Sequence, residues 1–237
     1  MSDPFVLVHG AWHGGWSWAR VAPLLRAAGH DVFTPTLTGF GERAHLLSAD
    51  VGPDTLVQDV VGVLESEELS GVVLVGHSFG ALVALAVAGR VPERVRRVVL
   101  LDGLVVEPGE PGFAGLPPAS AAARTAAAQA STGGLAFPPP GGAAFGLAAP
   151  ADIAWVERRL TPHPLRTYAE PFPLPTPLDA GHPVTYVSCT EPRYPAITGG
   201  HAIVRREGWT WRELPAGHDA MISAPEATAA ALLGQAS

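Results

Sequence analysis

Five residues constrain this chain more than any others: Gly76-His77-Ser78-Phe79-Gly80, set between the aliphatic run 72–75 and the small-residue run 79–88. The first run reads as a strand and the second as a helix closed by Gly89 and Pro92, so the pentad is a strand-to-helix turn. A serine on so sharp a turn sits in strained backbone. Its neighbours two positions away must then lack bulk, and Gly76 and Gly80 meet that demand. The helix start also aims free backbone N–H groups at charge developing near the serine, with the Phe79 N–H as one natural donor. The competing reading is a glycine-rich turn with an incidental serine.

The remainder repeats strand then helix. Residues 5–8, 31–37, 72–75, 95–101, 184–187 and 209–214 read as six strands, the last alternating aromatic and polar residues like an edge strand. Helical spacing covers 16–28, 55–64 and 79–88, a short helical connection covers 202–208, and the chain ends on a helix. The start of that helix, Ser223-Ala224-Pro225-Glu226, has capping-box spacing with proline in the first turn. Strands without alternation, separated by helices, imply an α/β fold with a mostly parallel six-stranded sheet covered on both faces. At 237 residues a single domain, 1–237, is expected. Within it, 104–182 breaks into Ala, Pro and Gly stretches with one helix at 152–160. That segment is expected to be a small cap or lid, because Trp155, Leu165, Tyr168 and Phe172 need burial.

Composition excludes several classes. With 47% hydrophobic and 16% charged residues and a net charge of -7, the chain is globular and unsuited to nucleic acid. Cys189 is the single cysteine, which rules out a disulfide framework and a thiolate zinc site and points to a reducing, cytoplasmic setting. No basic region precedes the apolar run 5–8, which reads as a core strand rather than a signal, and no membrane association is expected. No metal or organic cofactor is called for, and a homodimer is compatible with the composition.

A serine hydroxyl is a weak nucleophile near neutral pH and needs a base within hydrogen-bond reach. His218 stands out among nine histidines because it lies in the turn 216–219, after a late strand and before the terminal helix. His30, His45, His182 and His201 fall in polar loops, and His77 should point away from Ser78 in a packing or hydrogen-bonding role. The loop after the first strand, 9–16, is glycine-rich, so the Ala11 N–H is a second candidate donor to an oxyanion, with Trp12 and Trp16 as walls.

The stretches 9–16 (HGAWHGGW) and 36–43 (TLTGFGER), the 76–80 turn and Gly217-His218 resemble the small α/β-hydrolases related to plant methylesterases and hydroxynitrile lyases. The resemblance covers nearly the whole chain and is weakest over 108–149. It implies the α/β-hydrolase fold, catalysis by Ser78 and His218, and an oxyanion hole formed by the backbone N–H groups of Ala11 and Phe79. Many relatives carry an aspartate a few residues beyond the fifth strand, where this chain has Pro192. Asp102, at the end of the fourth strand, is the preferred substitute. Glu191 is its competitor, and a Ser–His dyad is the third possibility. Hydroxynitrile lyases of the family place a lysine just after the histidine, whereas this chain has Asp219. The expected chemistry is cleavage of a small to medium carboxylic ester, thioester or lactone through an acyl-enzyme, with Trp12, Phe40 and Trp155 as pocket aromatics. Two rivals remain, general-base cyclisation or elimination on a natural product in the same pocket, and a ligand-binding receptor.

Overall fold

A computed structural model describes residues 3–234. In chain order its elements are β1 (Phe5–Val8), α1 (Ala22–Ala27), β2 (Val32–Phe33), α2 (Pro53–Ser66), β3 (Val72–His77), α3 (Gly80–Arg90) and β4 (Val95–Leu101). There follow α4 (Pro118–Thr132), β5 (Ala136–Phe137), α5 (Pro150–Glu157), β6 (His163–Pro164), α6 (Arg166–Ala169) and β7 (Val184–Cys189). The last are α7 (His201–Arg206), β8 (Thr210–Leu214), α8 (Ala220–Ser223) and α9 (Pro225–Leu232).

Six strands form one sheet in the order β2-β1-β3-β4-β7-β8, and every pairing in it is parallel. The cause is visible in β3, whose six residues are all buried. A strand with no polar face must be covered twice, and only crossover connections deliver helices to both faces of a parallel sheet. Helix α3 meets this from its side with every residue from Gly80 to Ala88 buried and none bulkier than leucine. It packs against β3, β4 and α2, while α1 pairs with α9. Strand order reverses between β1 and β3, and at such a switch point the loops leaving neighbouring strands diverge and open a crevice at their C-terminal ends.

Several expected boundaries move. Strand β2 has two residues rather than the seven of 31–37. The rest of that run spends its hydrogen bonds on the loop after β1: the Gly15 N–H donates to Thr36 Oγ1 (2.8 Å) and the Leu37 N–H to His9 Nε2 (3.1 Å). Residues 15–18 form a tight turn of their own, so the expected helix at 16–28 shrinks to α1. The expected capping box at 223–226 is not made: Ala224 occupies the N-cap, and the Ser223 hydroxyl donates back to the Asp219 carbonyl (3.3 Å). Pro225 does sit in the first turn.

The largest departure lies between β4 and β7. There the alanine-rich stretch forms α4, a helix of 15 residues whose one buried member is Ala128. Alanine has the highest helix propensity, but a run of it carries no apolar stripe, which is why periodicity misses it. Proline at its start and Gly133 at φ 65° beyond its end delimit it. The antiparallel pair β5–β6 and the helices α5 and α6 complete the insertion.

Candidate active site

Three loops at the C-terminal ends of β3, β4 and β8 bring three side chains together. Ser78 follows β3 directly with φ 52°, and its N–H donates to the Leu101 carbonyl (3.0 Å). A Cβ on Gly76 would stand 2.6 Å from the Gly80 carbonyl oxygen, and one on Gly80 would stand 2.5 Å from that of His9. Both contacts are impossible, so the two glycines are sterically required by the turn. Asp102 follows β4 with φ 43°; its N–H donates to the Val187 carbonyl (2.7 Å), and its Oδ1 accepts the Cys189 N–H (3.0 Å). His218 Nδ1 lies 2.6 Å from Asp102 Oδ2, and its Nε2 lies 2.9 Å from Ser78 Oγ. A carboxylate only accepts, so Nδ1 carries the proton and Nε2 is left to accept from the serine hydroxyl. Glu191 is exposed and bonds through its main chain to Ala216.

Two further features frame this relay. The described residues contain five non-glycine residues at positive φ, and Trp12, Ser78 and Asp102 are three of them, each leaving a sheet strand. A left-handed conformation costs a side-chain-bearing residue about 1–2 kcal/mol, so strain is concentrated where these loops converge. Among the described residues, neither the Ala11 N–H nor the Phe79 N–H has an acceptor within the protein. The loop carrying His218 is clamped from the insertion: a Cβ on Gly217 would meet the Gly146 carbonyl at 2.7 Å, and the Asp219 N–H donates to the Phe145 carbonyl (3.0 Å).

Four more buried histidines surround the relay, and their partners fix their protons. His9 Nδ1 donates to the Gly10 carbonyl (2.8 Å) while its Nε2 accepts from Leu37, so the ring is neutral; burial lowers its pKa to about 3. His77 Nε2 donates to the His218 carbonyl (3.0 Å), the hydrogen-bonding role expected of it, and burial followed by the neighbouring His218 holds its pKa well below 6.5. His163 Nε2 donates to Thr167 Oγ1 (2.7 Å), whose own proton goes to the Pro164 carbonyl; burial and then Arg124 depress its pKa.

His13 is the exception. Its Nδ1 faces the Ala11 carbonyl at 2.7 Å and its Nε2 faces Asp219 Oδ2 at 3.0 Å, two acceptors for one ring. Burial alone would lower its pKa, but the charge and hydrogen bond of Asp219 outweigh that and raise it above 6.5, giving a buried imidazolium–carboxylate pair.

Of the expected pocket aromatics, Trp12 lines a cavity of about 260 Å³, with Arg124, Phe137, Pro139 and Tyr194. Phe40 does not: it is fully buried edge-on to His9 and His163, because the 36–40 run folds back over β1. Trp155 does not either. It lies on α5 against Trp16 (5.2 Å) and under Arg159 (4.4 Å), away from that cavity. His201, expected in a polar loop, begins α7 and packs edge-on to Tyr186 and Trp211. Sequence reasoning passed over Tyr194, whose ring stacks on His218 at 4.0 Å, and over Arg124 and His13. A signal existed for Arg124, the one charged residue between Glu110 and Asp152. Among the described residues no cluster of three His, Cys, Asp or Glu could hold a metal, and no helix is long and apolar enough to cross a membrane.

Comparison with known proteins gives the family. Residues 5–231 match a model described as the alpha/beta hydrolase family. The chain is 40% identical over 231 residues to a carbendazim hydrolyzing esterase of Nocardioides sp. (strain SG-4G), covering 93% of this chain and 94% of that one. In fold it is similar to an extracellular alpha/beta-hydrolase from a Paenibacillus species, described as sharing structural and functional homology with tobacco salicylic acid binding protein 2 (TM-score 0.85, 24% identity, 99% of each chain). It is also similar to a pyrethroid hydrolase from Sphingobium faniae JZ-2 (TM-score 0.77, 20% identity, covering 98% of this chain and 96% of that one).

Proposed function

The chain belongs to the alpha/beta hydrolase family, and from that premise we propose that it is a serine-dependent hydrolase of a small to medium carboxylic ester, thioester or lactone. The observation that carries the reading is the continuous relay from Ser78 Oγ through His218 to Asp102, at 2.9 and 2.6 Å. The esterase relative supports the substrate class.

The chemistry follows from the proton positions. Ser78 Oγ attacks the ester carbonyl carbon as its proton passes to His218 Nε2, and the carbonyl π pair moves onto oxygen. The Ala11 and Phe79 N–H groups, free of other acceptors, receive that oxyanion. Asp102 stabilises the imidazolium and keeps the Nδ1 tautomer. Collapse of the intermediate expels the alcohol, which takes the proton from Nε2 and leaves an acyl-Ser78. Water, deprotonated by the same Nε2, then releases the acid and restores the serine. The insertion 104–182, as cap, supplies Arg124 and Phe137 to the cavity and so sets which groups enter. The single, buried and unpaired Cys189 supports a reducing, cytoplasmic setting.

General-base chemistry without an acyl-enzyme in the same pocket is the second reading, since His218 oriented by Asp102 could serve it equally; the 2.9 Å contact between His218 Nε2 and Ser78 Oγ supports the acyl-enzyme instead. The test is a fluorophosphonate probe with mass spectrometry of the modified peptide, alongside turnover of 4-nitrophenyl acetate. Labelling of Ser78, with turnover abolished in Ser78→Ala, is expected. Turnover retained by Ser78→Ala would sink the acyl-enzyme reading.

A further inference from the structure

We propose that Arg124 is a carboxylate-binding residue of the substrate cavity, so that the preferred substrate is an ester bearing a free carboxylate, such as the half-ester of a dicarboxylic acid. The proposal rests on the hydrolase reading above and names the substrate class of that same site.

The argument begins with what Arg124 lacks. Every basic residue of the chain is an arginine, and most that fold inward find an oxygen. Arg20 meets Asp152 and Arg43 meets Asp59, while Arg26, Arg94 and Arg97 donate to main-chain carbonyls. Arg124 meets no carboxylate and no main-chain carbonyl among the described residues; the polar groups beside it are the neutral hydroxyls of Tyr168 and Tyr194. Its Nη1 is the one arginine nitrogen among the described residues that is buried without an acceptor, and no carboxylate lies within ion-pair distance. Instead its guanidinium carbon lies 4.8 Å from the Trp12 ring, 5.1 Å from Tyr168 and 5.6 Å from Phe137. Aromatic faces stabilise the charge through the flat side of the guanidinium, the tyrosine hydroxyls take up part of its donor set, and Nη1 is left with donors in the plane and no acceptor. That planar fork matches a carboxylate in a two-bond pairing.

The tyrosines do not supply the missing charge. Burial raises the pKa of Tyr168 against the opposing charge of Arg124, and burial likewise pushes Tyr194 up to about 12, so both hydroxyls stay neutral at ordinary pH. The cation is therefore uncompensated inside a protein of net charge -7, where it is no by-product of a basic surface.

Its position ties it to the reaction. The cavity that Arg124 lines also holds Trp12, next in the chain to Ala11, and Tyr194, which stacks on His218. Tyr168, on the other side of the guanidinium, packs on Phe79 at 4.8 Å. One ring thus separates Arg124 from His218 and one from Phe79, and the Trp12 beneath it adjoins Ala11 in the chain. At about 260 Å³ the cavity is at the small end of ligand sites, suited to a compact diacid derivative.

The experiment compares monomethyl adipate with dimethyl adipate as substrates for wild type, Arg124→Met and Arg124→Lys, and measures binding of both esters to Ser78→Ala and Ser78→Ala/Arg124→Met by tryptophan fluorescence. The wild type should favour the half-ester. Its half-ester to diester ratio of kcat/KM should fall about 10- to 100-fold in Arg124→Met, the size of a lost charge-assisted hydrogen bond, and less in Arg124→Lys. Equal losses on both esters would make Arg124 a structural pin and overturn the proposal, as would an unchanged ratio. If neither ester is turned over, 4-nitrophenyl acetate turnover decides the hydrolase reading, and the binding arm decides the carboxylate site. Tighter binding of the half-ester that disappears in the double variant upholds the carboxylate site, and equal binding overturns it.

Discussion

The molecule buries two histidine–aspartate pairs side by side, built from the same residue types yet wired for opposite ends. In one, His218 stands between a carboxylate and a hydroxyl, so one ring nitrogen donates to Asp102 and the other accepts from the Ser78 hydroxyl. In the other, His13 stands between a carboxylate and a carbonyl, so both nitrogens are engaged as donors and no base is left. What makes an imidazole a base here is the single remaining partner: a hydroxyl in place of a carbonyl. Asp219 follows His218 in sequence, and His13 lies two residues beyond Ala11, so the second pair fastens the His218 loop to the loop after β1.

The comparison breaks first at Ser78 and His218. Ser78→Ala and His218→Ala should each lower kcat for an activated ester by about 10⁴-fold or more, whereas His13→Gln should leave measurable turnover; steady-state rates on the same ester decide. Next come the two aspartates. Asn in place of Asp102 offers an N–H to Nδ1 and imposes the wrong tautomer, so Asp102→Asn should cost about 10³- to 10⁴-fold in kcat. Asp219→Asn should change kcat far less but remove about 3 kcal/mol of stability, because it strands a buried imidazolium. Urea midpoints and kcat, measured on both variants, would expose a reversal of that order.

Acid sharpens the contrast further. His9, His77 and His163 have folded pKa values lowered below 6.5, so below that pH the unfolded chain takes up protons that the folded one refuses. Stability is therefore lost as pH falls from 6.5, by about 1.4 kcal/mol per pH unit for each group while it stays neutral in the fold. His13 has the opposite sign: its raised pKa contributes stability that is full below 6.5 and lost as pH rises through the folded value. Urea unfolding from pH 5 to 8 should show a steep acid limb and a shallow alkaline decline, and Asp219→Asn should abolish only the second. The smallest effect on kcat is expected of Gly217→Ala, which presses a methyl against the Gly146 backbone, forces the His218 loop to shift, and should lower kcat about 10-fold together with the thermal midpoint.

How far the sequence discloses this arrangement depends on the range of each contact. The turn around Ser78 is legible because its requirements are local: two glycines, a strand before and a helix after. Asp102 is legible for a related reason, since an aspartate ending a buried strand faces the crevice with the other strand ends. His13 is not, because its meaning depends on Asp219, 206 positions away in the chain. Strand β2 is overcalled because residues 34–37 look like a strand but exchange their hydrogen bonds with the β1 loop. Helix α4 is missed because alanine helices have propensity without pattern.

The cysteine at the end of β7 carries one further consequence. Its backbone N–H holds Asp102 Oδ1, its side chain is 2% exposed, and burial followed by the nearby Asp102 keeps its thiol well above the usual pKa. A thiol reagent can reach it only when the strand end that steadies the acid has opened. With no second thiol in the chain to compete, the rate of maleimide uptake becomes a clock for the breathing of the site, read at a single atom.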